Sequence, residues 1–221
     1  MLFLILFSLI IGLFSNFVIY IFCKNNISFK NLFSLDPLKN KFLSFLIVII
    51  NIIIYLMLYY NYNFSIYFFI YGLVFSFLIC LSVIDLKVGI VPDSINFLIF
   101  ILSIIFILVT KPNIIYHIVG FFLISVPFFI IAVFTNGIGG GDVKLFAVTG
   151  LLLGAFHIFL AMFICCLLAS IVGLSLKCFN KDYSQNNKMS IPLVPYICIG
   201  VIISALYGNF ILQWYFSKFF Y

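Results

Sequence analysis

Apolar residues run through this chain in stretches of about twenty, separated by short clusters of Lys, Asn, Asp, Gly and Pro. A helix needs about 20 apolar residues to cross a hydrocarbon layer roughly 30 Å thick, so each stretch reads as a membrane span. The pattern predicts eight of them, near residues 2–22, 42–60, 64–86, 94–110, 115–134, 143–154, 157–177 and 191–212, the sixth being short. The first run has no basic segment before it and no small-residue cleavage site after it, so it is expected to stay as a span. The expected fold class is an all-α polytopic membrane protein with no large soluble domain and no internal repeat.

Composition sharpens this reading. Of 221 residues, 67% are hydrophobic and 7% charged, against roughly 25% charged in a soluble domain. The net charge of +6 comes from eleven lysines and no arginine. With the N-terminus outside, the inner loops carry Lys24, Lys30, Lys39, Lys41, Lys87, Lys144, Lys177, Lys181 and Lys188, leaving Lys111 and Lys218 outside. Basic residues collect in cytoplasmic loops, so orientation in a membrane accounts for these lysines and nucleic acid is not an expected partner. The aromatic stretch Gln213 to Tyr221 suits an outer membrane interface. Six cysteines form no C-x-x-C pair, and most lie in apolar runs, which points away from a zinc site or a disulfide framework.

The chemistry concentrates in the acids. All five are aspartates, and Asp85, Asp93 and Asp142 fall in two short segments on the side this topology makes cytoplasmic. Acids at the hydrocarbon boundary are costly and tend to mark working sites. Asp85 falls in the last turn of the third span, where the helix macrodipole disfavours another negative charge, so helix stability does not call for it. Asp93, after Gly89 and Pro92, reads first as the N-cap of the fourth span and is left outside the catalytic pair. Asp142 ends Gly139-Gly140-Gly141-Asp142 and precedes an apolar stretch. It too could be an N-cap. The triple glycine is either a flexible connector or a place where positive φ and close backbone approach are allowed, as a peptide substrate would need.

Two carboxyls sharing a site can hydrolyse a peptide bond. Repulsion between like charges keeps one proton on the pair, so one group is a base for water and the other an acid for the carbonyl. Asp142, at a helix N-terminus beside Lys144, is the better candidate for the ionised partner. Lys144 reads equally as a positive-inside anchor. His117 and His157 fall at the outer ends of their spans, away from the aspartates, and read as interfacial or core residues.

With these residues in place the chain resembles the type IV prepilin peptidase family, membrane aspartic peptidases of the GxGD type. Gly139-Gly140-Gly141-Asp142-Val143-Lys144-Leu145 is similar to the family's G-x-G-D-x-K-L, and Ile84-Asp85 followed by Val91-Pro92-Asp93 is similar to its first aspartate and the Pro-Asp beyond. Ile191-Pro192-Leu193-Val194-Pro195-Tyr196 resembles the opening of its last span, and Gly12 to Tyr20 its first helix, with Leu13 where serine is usual and no arginine after Tyr20. The resemblance implies that Asp85 and Asp142 are catalytic, supported by Gly139, Gly140, Gly141, Lys144, Pro92 and Asp93, with no metal. It implies an N-terminal transmembrane region over 1–60 and a peptidase core over 61–221.

The implied activity is cleavage of the short basic leader of prepilin-like precursors, in a bacterial plasma membrane, at the cytoplasmic face. Bifunctional members also carry two C-x-x-C pairs in the first cytoplasmic loop, associated with N-methylation, and Lys24 to Lys41 has none. No cofactor is implied for peptide cleavage, and S-adenosylmethionine would be needed only for methylation. The expected partners are prepilin-like substrates and lipid. Two alternatives stay open at this point: a preflagellin-type peptidase with the same pair, and a non-enzymatic transporter or secretion-assembly component whose aspartates bind protons or partners.

Overall fold

The computed structural model describes residues 2–26, 41–135, 137, 139–179 and 192–219. These form eight helices and, among the described residues, no strand: α1 (Leu2–Asn26), α2 (Lys41–Tyr62), α3 (Ile66–Val88), α4 (Asp93–Thr110), α5 (Ile114–Thr135), α6 (Gly140–Leu153), α7 (Ala155–Phe179) and α8 (Val194–Phe219). Seven are long and apolar enough to cross a membrane. The exception is α6, whose 14 residues at 1.5 Å each reach about 21 Å, short of a hydrocarbon core of roughly 30 Å. All eight runs expected as spans are helices, and seven of them reach span length. Gly139 and Gly154 bound α6, and the apolar run that suggests a span continues past Gly154 into α7.

Large apolar side chains face outward all along these helices, for example Phe42 at 77% and Phe134 at 82% exposure. Such a surface is suited to hydrocarbon and would be a liability in water. Polar side chains within the spans turn back onto their own helix: Ser15 Oγ donates to Ile11 O at 2.9 Å and Ser103 Oγ to Ile99 O at 2.8 Å. No backbone or hydroxyl group can look to solvent at that depth, so bonding back to the carbonyl four residues earlier is the available solution.

Packing divides the chain into two compact units, Met1–Lys111 and Pro112–Tyr221. In the first, α3 is central, packing on α1, α2 and α4. Gly72 makes room for the ring of Tyr55, since a Cβ there would lie 2.6 Å from Tyr55 Cε1. Nearby, Ser76 Oγ donates to Asn51 Oδ1 at 2.9 Å, and Asn16 Nδ2 donates to Ser44 O at 3.1 Å, so side-chain amides fix the register of α1, α2 and α3. The α3–α4 connection is a tight antiparallel hairpin.

In the second unit, α5 packs on α6 and α7, and α7 on α8. The α5–α6 crossing is backbone to backbone: a Cβ on Gly120 would lie 2.5 Å from Gly150 O, and one on Gly150 would meet Gly120 O. His117 bonds through Nδ1 to Leu151 O at 2.8 Å, giving a partner to a carbonyl at the end of α6 that has none within its own helix. Phe128 and Phe146 add a ring contact at 4.9 Å between centroids. The short helix is thus held at one end by His117 and in its middle by an aromatic pair.

Candidate active site

Asp85 lies in the last turn of α3 and is 7% exposed. The turn is closed by Gly89, whose N–H donates to Asp85 O at 2.8 Å and whose φ of 69° is left-handed. A Cβ at Gly89 would meet nothing within 4 Å, so its conformation, not its surroundings, calls for glycine. Burial at the negative end of a helix makes charge expensive on Asp85.

Asp93 is not the N-cap. Pro92 occupies that position with extended backbone (φ −64°, ψ 125°), and Asp93 is the first helical residue of α4, exposed, where its carboxylate favours the positive end of the helix. A proline N-cap offers no side-chain oxygen to the first turn, which explains why the acid falls one position later than a capping role requires.

Asp142 lies in the first turn of α6, half-buried. Gly139 is the N-cap, with extended backbone (φ −68°, ψ 136°), and Asp142 N–H donates to Gly139 O at 3.0 Å. Positive φ is therefore not what Gly139 supplies. A Cβ at Gly139 would lie 3.1 Å from Asp142 Oδ2, so the glycine leaves space for the carboxylate that folds back over it. Gly140 and Gly141 belong to α6, and a Cβ on Gly140 would meet nothing within 4 Å. Lys144 is exposed on the second turn. From α7, the buried thiol Cys165 lies within electrostatic reach of Asp142, a neighbour that sequence spacing does not reveal.

The histidines take no part in this region. His117 is occupied by Leu151 O, and His157 lies between Tyr116 OH at 3.4 Å and Asn209 Oδ1 at 3.1 Å. Both lie at the far end of α6 from Asp142, on the order of 20 Å along the helix axis. His157 and its partners line a cavity of about 400 Å³ with Phe156 and Phe216. Among the described residues, no three His, Cys, Asp or Glu side chains gather as a metal site would require.

An all-helical chain with seven membrane-spanning helices, carrying one acid in the last turn of α3 and another behind a glycine triplet at the start of α6, defines a class of polytopic membrane protein with paired-aspartate motifs. Residues 72–174 match the type IV leader peptidase family. That segment includes Asp85, Asp142 and the glycine triplet. The chain is 33% identical over 96 residues to a "Prepilin leader peptidase/N-methyltransferase" of Bacillus subtilis (strain 168), covering 43% of this chain and 36% of that protein. It is 32% identical over 77 residues to a protein of the same name from Legionella pneumophila, covering 35% of this chain and 26% of the relative. The matches thus span about a third or less of either relative. No solved structure matches the chain.

Proposed function

We propose that the chain is a membrane aspartic endopeptidase that removes the short basic leader from type IV prepilin-like precursors, with Asp85 and Asp142 as its catalytic pair. The observation that carries this reading is the family match over 72–174, which contains both acids in their motifs. The local settings support it. Asp85 is buried where charge is disfavoured, and Asp142 sits where a helix start favours charge, with space cleared over it by Gly139. In this mechanism the ionised carboxylate takes a proton from water and the water oxygen adds to the scissile carbonyl carbon, whose oxygen receives the proton of the other acid. On collapse of the tetrahedral diol the C–N bond breaks and the leaving amine takes the proton held by the first carboxyl. One of the diol's two hydroxyl protons returns to the second carboxyl, the other stays on the product acid, and one water has been consumed.

Pro92, Asp93, Gly139, Gly140, Gly141 and Lys144 act in support, by turning the chain at each acid and leaving room around it. On this reading the active site faces the cytoplasm of a bacterial plasma membrane, which the positive-inside distribution of lysines supports. A precursor with a basic leader and an apolar helix has the same polarity, so its junction would come to that face. Methyl transfer, which the names of both relatives also carry, is not proposed, because the two C-x-x-C pairs have no counterpart between Lys24 and Lys41. The test is processing of a co-expressed prepilin by wild type, Asp85→Ala and Asp142→Ala, with insertion followed in the same cells. Loss of the cleaved product in both inserted variants is expected. Undiminished processing in either rejects the pair.

A further inference from the structure

Three asparagines are buried among the described residues, and one of them is unlike the others. Asn51 is satisfied at both ends of its carboxamide, donating to Ile47 O at 3.0 Å and accepting from Ser76 Oγ. Asn16 donates to both Gly12 O and Ser44 O. Asn96 is 4% exposed, and neither its Nδ2 nor its Oδ1 has a hydrogen-bond partner. Buried carboxamides are ordinarily paired, because leaving both a donor and an acceptor dry is costly. Broken local rules of this kind tend to fall at functional sites.

Its position says what that is. The hairpin between α3 and α4 turns at Gly89 and Pro92, and Asp85 stands four residues inside the first of these while Asn96 stands four residues inside the second. In an antiparallel pair those positions are level, about one turn below the connection. Asn96 shares the buried face of α4 with Ile95, Ile99 and Ser103, and the helix α4 packs on is α3. An unpaired donor and acceptor on one planar amide are the complement of one residue of extended main chain, whose own N–H and C=O point to the same side.

We propose that the Asn96 carboxamide binds one residue of the extended substrate main chain beside Asp85, Nδ2 donating to that residue's carbonyl and Oδ1 accepting its N–H. This rests on the peptidase reading above and names how that site recognises its substrate: through extended backbone near the leader junction, whatever the side chains there. A main-chain contact of this kind fixes the register of the scissile bond against the acid.

The test uses the purified full chain in lipid vesicles with synthetic peptides spanning leader and first apolar residues of a prepilin, unmodified or N-methylated at one amide at a time. Asn96→Leu replaces an orphaned carboxamide with an apolar group of similar size. It should melt at or above the wild-type midpoint while kcat/KM falls 10- to 1000-fold. Asn96→Ser, which keeps a hydroxyl, covers the case in which the leucine variant does not fold. In wild type one N-methylated position should cost as much as the substitution, and in Asn96→Ser that same methyl should cost nothing further. Leucine or serine variants cleaving within twofold of wild type, or methyl effects that simply add, would overturn the role of Asn96 and leave the peptidase reading standing. No cleavage by wild type would overturn both.

Discussion

Gly139 and Asp142 are matched to one another: a Cβ on the glycine would stand 3.1 Å from Oδ2 of the acid, closer than side chains normally approach. A carboxylate on a single-bonded stem can retreat by a few tenths of an ångström, so the fold can absorb the change, but the acid can no longer rest where it does.

Gly139→Ala should therefore keep the protein folded, within about 1 kcal/mol of wild type, and lower prepilin cleavage by about tenfold, since a displaced catalytic group costs rate steeply. Gly140→Ala is the control. Nothing lies within 4 Å of its added Cβ, and alanine is favoured over glycine in a helix by roughly 1 kcal/mol. Cleavage rates and thermal midpoints of the two variants decide the point, and equal activity would show that the space above Asp142 is not needed.

The turn after Asp85 makes a different demand. At Gly89 the backbone is left-handed and the surroundings are open, so replacements should rank by their tolerance of positive φ. Gly89→Asn should cost a few tenths of a kcal/mol, and Gly89→Val about 1–2 kcal/mol or more, because a β-branched side chain collides with its own backbone there. The valine variant also weakens the bond from the position-89 N–H to Asp85 O that closes the last turn, so it should lose activity along with stability. Thermal melting in detergent tests the order. Valine tolerated as well as asparagine would place the need for glycine elsewhere.

Much of this arrangement is legible in the sequence because hydrophobic runs of span length have few other meanings. The third and fourth runs, read as 64–86 and 94–110, appear as Ile66–Val88 and Asp93–Thr110. The same reading places Asp85 in a last turn and leaves Asp142 at a helix start, as observed. What was hidden depends on tertiary contact. Gly120 and Gly150 stand thirty positions apart in apolar runs, and no periodicity announces that their backbones touch. Asn96 looks like one more tolerated polar residue in a span until its two amide atoms are found dry. Asp93 was displaced from the cap by a proline whose ring fixes φ near the value at which a helix can begin.

The crossing of α5 and α6 should be the least forgiving place in the second unit. At Gly120 an added Cβ meets backbone, the Gly150 carbonyl at 2.5 Å, and backbone on a helix pinned at its end by His117 and in its middle by Phe128 cannot step aside. Gly120→Ala should cost about 3 kcal/mol or more, near the upper end for overpacking. His117→Phe keeps a ring of similar size and removes the N–H that donates to Leu151 O, so about 1–3 kcal/mol is expected. In both variants stability and cleavage should fall together. A Gly120→Ala protein that melts like wild type would mean that α5 and α6 separate more easily than their packing implies.

The last prediction concerns the proton that the two acids are proposed to hold jointly. Below the titration range of the pair both carboxyls are protonated and no base remains to draw a proton from water. Above it both are ionised and none remains to protonate the carbonyl oxygen. Activity therefore needs the singly protonated pair, and kcat/KM should rise and then fall with pH, each limb with unit slope. The limbs belong to the pair and not to either residue, so Asp85→Asn and Asp142→Asn should each abolish cleavage across the whole range instead of shifting one limb. A wild-type profile that climbs to an alkaline plateau would show that the acid form is dispensable. Cleavage by either asparagine variant at any pH would show that one carboxyl is enough, and the shared proton would have to be given up.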